Sequence, residues 1–118
     1  MIARTWRGVV RAADAYRYAT YVEETGLRAF SETEGNLGAL LLRRPCGDAN
    51  EAMTELLVVS FWESMDAVKR FAGPRPDQAV FYPEDEQYLV RRDLAVDHFE
   101  VVVRRDSRQA GLARSSGA

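Results

Sequence analysis

The chain has 118 residues, 47% of them apolar and 29% charged, with a net charge of −2. That length suits one domain able to build its own core, and the near-neutral balance gives no ground for nucleic-acid binding. No apolar run approaches the roughly 20 residues of a membrane span. Cys46 is the single cysteine, so no internal disulfide forms and a reducing, cytoplasmic setting is expected.

The opening, Met1-Ile2-Ala3-Arg4-Thr5-Trp6-Arg7, is too polar for a secretory leader; residues 2–10 read as a first strand. Ala12-Ala13-Asp14 then puts an acid near a helix N-terminus, where the dipole favours it. From there to Glu32, the side chains of Tyr18, Tyr21, Val22, Thr25, Ala29 and Phe30 fall along one helical stripe. Gly26 weakens this helix by about 1 kcal/mol relative to Ala and suggests a bend or close packing. Glu34-Gly35-Asn36 signals a turn, and Leu37 to Arg44 a second strand. Pro45 to Asn50 form a loop of turn-prone residues. Met53 to Trp62 is the third strand, the most β-like stretch of the chain, and pairs with the second as an antiparallel hairpin.

Ser64 is a good N-cap, with Asp66 in the first turn. Met65, Val68, Phe71 and Ala72 follow at helical spacing. Gly73 stands where a terminating glycine belongs, and Pro74 bars continuation. A loop containing Pro74, Pro76 and Pro83 leads to a short helix over Glu84 to Arg91, and Leu94 to Val103 is the last strand. From Arg104 onward the chain carries +3, leaving −5 on the rest. Its ending, Ala113-Arg114-Ser115-Ser116-Gly117-Ala118, lacks large apolar residues. The expected organisation is a domain over residues 1–103 and a flexible basic tail over 104–118, which is either simply solvated or touches an acidic partner.

The order β-α-β-β-α-β is that of the ferredoxin-like, split βαβ arrangement. It is an α+β fold with a four-stranded antiparallel sheet and both helices on one face. Both faces of that sheet read as apolar. In the third strand Leu57, Val59 and Phe61 oppose Leu56, Val58, Ser60 and Trp62; in the second, Leu37, Ala39 and Leu41 oppose Leu40 and Leu42; in the last, Ala95, Phe99 and Val101 oppose Leu94, Val96 and Val102. A sheet covered on one side only alternates apolar with polar. The second face therefore needs a cover, and the simplest is another copy of the same sheet across a two-fold axis, giving a homodimer.

Motifs for catalysis are sparse. There is no glycine-rich phosphate loop and no Cys/His cluster of metal-binding spacing. His98, the only histidine, sits in the last strand and is either a proton shuttle or substrate-oxygen ligand, or a hydrogen-bonded structural residue. Arg4 and Trp6 share a face of the first strand. They line a cleft, Arg4 for an anionic or phenolate oxygen and Trp6 for a flat ring, or else Trp6 is core and Arg4 pairs with an acid. Phe81 and Tyr82 form a pocket lid or close the core edge. Trp62, just before the Ser64 cap, suits the corner between strand and helix better than a catalytic role, and its N–H needs a partner if buried.

Four stretches together resemble the antibiotic biosynthesis monooxygenase superfamily of dimeric α+β barrels, over roughly residues 1–103. They are Met1-Ile2-Ala3-Arg4-Thr5-Trp6-Arg7-Gly8; Phe61-Trp62-Glu63-Ser64 with Ala67-Val68 and Phe71-Ala72-Gly73; Tyr82-Pro83-Glu84 leading to Leu89; and Val96-Asp97-His98-Phe99-Glu100-Val101. The resemblance implies a pocket between the sheet and its own helices, lined by Arg4, Trp6, Trp62, Phe81, Tyr82 and His98, with His98 as the catalytic candidate. It further implies a cofactor-independent monooxygenase acting on a small phenolic or polyketide-like aromatic, without metal or flavin. The alternative is a non-catalytic dimeric module of the same fold that binds a small ligand or serves assembly. The first strand lacks the Asn, and residues 64–92 the iron-binding His, of the superfamily's haem-degrading members, so haem degradation is not expected.

Overall fold

The computed structural model describes residues 1–108; residues 109–118, most of the expected tail, lie outside the described residues. Three long strands carry the sheet: β1 (Ile2–Arg11), β2 (Asn36–Gly47) and β3 (Ala52–Trp62). β3 pairs antiparallel with β1, from Ile2 opposite Trp62 to Arg11 opposite Met53. It pairs likewise with β2 in the expected hairpin, which extends through Pro45, Cys46 and Gly47 before turning. The far edge of β1 is shared by two short strands: β4 (Leu89–Arg92) lies beside Gly8 to Val10, and β5 (Asp97–Glu100) beside Ile2 to Thr5.

This corrects the expected ending in two ways. The last helix, α4, covers only Asp85–Tyr88, because Leu89 to Arg92 find ladder partners on β1 instead. The last strand does not run from Leu94 to Val103. It begins at Asp97, because residues 94–96 give their backbone bonds to the loop after the second helix. Ala79 N–H donates to Leu94 O and Val96 N–H to Asp77 O, both at 2.9 Å. Each buried backbone group needs a partner, and here a loop outcompetes the strand. The fourth position of the sheet is thus filled by β4 and β5 end to end, and the order β2-β3-β1-β4/β5 keeps the ferredoxin-like arrangement.

The first helical stretch is a composite. After a short 3₁₀ turn at Ala12–Asp14 come α1 (Ala15–Val22), one wide π turn (Glu23–Leu27) and α2 (Arg28–Ser31). Gly26 lies inside the wide turn, which re-aims the helix at the place its sequence weakens it. Ala15, Tyr18, Val22 and Phe30 are the buried stripe. α3 (Met65–Ala72) starts as expected: Ser64 Oγ accepts the Ala67 N–H at 3.2 Å, and Gly73 closes the helix with φ 84°.

Trp62 is wholly buried at the centre of the packing. Its ring meets Phe30 of α2 edge-to-face at 5.7 Å and Phe71 of α3 at 5.9 Å, and its N–H donates to Ser60 Oγ at 2.9 Å. One side chain of the sheet therefore fastens both helical layers. The opposite face carries no helix packing of this kind. There Leu40 lies across from Val59 and Leu42 from Leu57, while Ala3 lies between Phe61 and Phe99. Leu40, Leu42 and Phe99 are 52%, 45% and 57% exposed, a contiguous apolar surface rimmed by the Arg7–Glu55–Arg44 ion pairs. No described helix is long and apolar enough to cross a membrane.

Candidate functional site

A narrow, solvent-open cleft of about 50 Å3 lies between the helix-covered face of the sheet and the loop leading to α4. β1 supplies Arg4 and Trp6 to its wall, the composite helix supplies Tyr18 and Gly26, and the loop supplies Phe81 and Tyr82. Four of the six sequence candidates, Arg4, Trp6, Phe81 and Tyr82, are thereby brought together. Alternation along β1 puts Arg4, Trp6 and Gly8 on one face. The break between β4 and β5 falls beside Trp6, and the Trp6 N–H fills it by donating to Asp93 O at 2.8 Å. Gly8 makes room for this ring: a Cβ there would stand 2.6 Å from the Trp6 Cη2 atom and 2.7 Å from Leu89. Phe81 meets Trp6 edge-to-face at 6.1 Å and has the Arg92 guanidinium 4.6 Å above its ring.

Arg4 is the one basic residue of the cleft wall and only 5% exposed. Its Nη2 donates to Pro76 O at 3.3 Å and Gln78 O at 3.0 Å, and its Nε is buried without a partner. Among the described residues it forms no ion pair with a carboxylate. Burial lowers its pKa to about 10, against the pull of Asp77, so it remains cationic at neutral pH. A desolvated guanidinium bonded only to carbonyls and with a free N–H is poised to take an anionic oxygen.

Across the cleft stands a pair that the sequence did not single out. Tyr18 O–H donates to Asp85 Oδ1 at 2.9 Å, and the Tyr82 backbone N–H donates to Asp85 Oδ2 at 2.7 Å. Tyr18 and Asp85 are 1% and 5% exposed, yet both border the cleft. Burial first, then the Asp85 charge, pushes the Tyr18 phenol well above its ordinary range. Burial and Asp85 likewise raise the pKa of Tyr82. Both phenols therefore stay protonated at neutral pH, and the Tyr18 O–H acts as a donor. In the sequence Tyr18 was one member of the helical stripe, and Asp85 lay unremarked in the short helix expected over Glu84 to Arg91. The usable signal was the spacing from Tyr82 to Asp85, which lets an acid at the start of a helix accept an N–H three residues back.

Trp62 and His98 lie outside the cleft lining. Trp62 sits behind the Phe30–Phe71 pair. His98 is the cross-strand neighbour of Arg4, with Nδ1 3.5 Å from Asp77 Oδ1 and Nε2 buried without a partner. Burial first, then the Arg4 charge, lowers its pKa, so its imidazole is neutral at neutral pH.

No family model and no curated protein sequence matches the chain, but solved structures share its fold. A candidate antibiotic biosynthesis monooxygenase from Bacillus cereus aligns with a TM-score of 0.63 at 17% identity, over 92% of this chain and 98% of that one. The haem-degrading protein MhuD of Mycobacterium tuberculosis, with two haems in its active site, aligns with a TM-score of 0.54 at 20% identity, over 90% of this chain and all of the other. The fold expected from the sequence is therefore shared by these solved structures.

Proposed function

We propose that the protein is a homodimeric monooxygenase that oxidises a small phenolic or polycyclic aromatic with O₂, the substrate itself supplying the electrons. The observation that carries this reading is Arg4, a buried cation in the wall of an aromatic cleft that forms no ion pair with a carboxylate among the described residues. Burying such a charge is costly unless it is paired, and an incoming phenolate or enolate oxygen is the natural partner. Trp6 and Phe81 offer ring surfaces beside it. A concave, mainly apolar site with few convergent polar groups is the usual form of a small-molecule site. Electron-rich ring anions donate an electron to O₂ directly, so the protein's part is to stabilise the anion and exclude water. For an anthrone-type ring the net change is CH₂ plus O₂ to C=O plus water, one oxygen atom entering the ring and the other leaving.

The lining does not suit an iron porphyrin. Haem iron takes a His, Cys, Met or deprotonated Tyr axial ligand. No His, Cys or Met borders the cleft, and its two phenols are held protonated. The haem chemistry of MhuD is therefore not carried over.

The test is oxygen uptake by the purified chain with a panel of anthrones and hydroquinones. The expected result is uptake matched to quinone formation with at least one anthrone, with one ¹⁸O atom from ¹⁸O₂ in the product. Tight binding of an aromatic with no turnover of any panel member would instead make it a non-catalytic binding module.

A further inference from the structure

We infer that Asp85 is the proton acceptor of the cleft, a role that rests on the monooxygenase reading above. Asp85 is the only carboxylate side chain among the residues that border the cleft, as Arg4 is the only cationic one. Its carboxylate is fixed by one donor on each oxygen, the Tyr18 O–H at 2.9 Å and the Tyr82 N–H at 2.7 Å. A carboxylate oxygen accepts two hydrogen bonds, so each keeps a lone pair. No cation forms an ion pair with it among the described residues. A buried anion that is oriented but in no ion pair, bordering the same cleft as a buried cation likewise in no ion pair, suits a substrate that loses a proton at one point and gathers negative charge at another. His98, the other group able to take a proton, stands outside the lining. Tyr18 is a positioning residue, holding the carboxylate through its phenol.

The proton balance closes on Asp85 alone. Its carboxylate removes a proton from the activated CH₂, leaving the electron pair on the ring as an enolate whose oxygen Arg4 binds. The enolate passes electrons to O₂, and a C–O bond forms to give a peroxide anion, which takes the proton back from Asp85. The carboxylate then removes the second ring proton; the C–H pair becomes the C=O bond, the O–O bond breaks, and the departing hydroxide takes that proton as water. The carboxylate is regenerated and no other oxidant is needed.

Asp85 has a plain structural duty as well, so loss of activity in a variant is not by itself diagnostic. The discriminating experiment compares wild type and Asp85→Asn across anthrones whose ring substituents spread their C–H acidity over several units. The amide keeps shape and one acceptor but is a far weaker base. General-base action is worth about 10²- to 10⁴-fold in rate. We expect kcat of Asp85→Asn to fall at least about 100-fold on the least acidic anthrone and the deficit to shrink steadily as acidity rises. Binding of the anthraquinone product, followed by fluorescence quenching, stays within threefold of wild type. A deficit of equal size across the series, or turnover within threefold of wild type, overturns the assignment while leaving the enzyme reading intact. If wild type binds the anthraquinone but oxidises no anthrone, the enzyme reading fails first and takes the assignment with it. If Asp85→Asn does not fold, Tyr18→Phe replaces it: the same acidity dependence at a smaller deficit is expected, and an acidity-independent loss overturns the assignment.

Discussion

At the residue scale, Arg4 poses an energetic conflict. Its guanidinium is almost fully buried and its pKa is lowered to about 10, so the folded protein bears a desolvation cost for keeping it charged. Two carbonyl acceptors offset part of that cost, and Phe71 at 5.6 Å adds a weak ring contact. Removing an uncompensated buried charge relieves its desolvation cost, while the two carbonyls it serves lose a donor at about 1 kcal/mol each. Arg4→Met is therefore expected to leave urea-unfolding stability within about 2 kcal/mol of wild type. Affinity for an anionic hydroxyanthraquinone should fall roughly 30-fold, the worth of one hydrogen bond to a charged group at about 2 kcal/mol. Opposite or uncoupled signs in the two measurements mark a group retained for binding. A stability loss above about 3 kcal/mol with affinity unchanged would make Arg4 a pin for the loop at Pro76 and Gln78 instead.

At the element scale, the same reasoning explains which parts were legible in the sequence. The β2–β3 hairpin and α3 were, because their signals are local: two apolar runs around a turn, a serine cap, a glycine stop. The split of the last strand was not, because Leu94 to Val96 alternate as a strand should and only the distant residues 77–79 claim their backbone bonds. Arg4 and Trp6 could be put on one wall from the sequence because alternation along one strand is enough to bring them together. Asp85 was missed because its burial depends on Tyr18, 67 positions earlier, and the one local hint is its spacing from Tyr82. Trp62 was legible as an anchor but overextended as a cleft residue, since Phe30 and Phe71 come between it and the opening only in three dimensions. Its replacement tests how far one ring unites sheet and helices. Trp62→Ala should cost about 3–5 kcal/mol in denaturant unfolding. The near-ultraviolet circular dichroism should weaken at the same time, because both helical layers lean on that ring. A cost under 1 kcal/mol would show that the Phe30–Phe71 pair at 4.7 Å holds the layers unaided.

At the scale of the whole molecule, the sheet has a worked face and an unfinished one. The helices, the cleft and Trp62 occupy the first. The second presents Leu40, Leu42, Leu57, Val59, Phe61 and Phe99 in register across β2, β3, β1 and β5. Monomeric proteins rarely expose a contiguous apolar surface of this kind, and two such sheets packing about 10 Å apart would shield each other. In a two-fold assembly every substitution enters the interface twice. Wild type is thus expected to sediment at twice its 13.3 kDa at micromolar concentration, with a melting temperature that rises with protein concentration. Leu40→Asp, placed opposite Val59, should convert it to a monomer whose melting temperature no longer depends on concentration. Tyr16→Asp, on the outer surface of α1 where Tyr16 is 79% exposed, should leave the dimer intact. Because the cleft lies on the other face of the sheet, a Leu40→Asp monomer that stays folded separates assembly from chemistry. If it still binds anthraquinone, the partner copy shields the sheet without completing the site. A wild type that sediments as a monomer would remove the argument for a shared barrel and leave the apolar face in need of another cover.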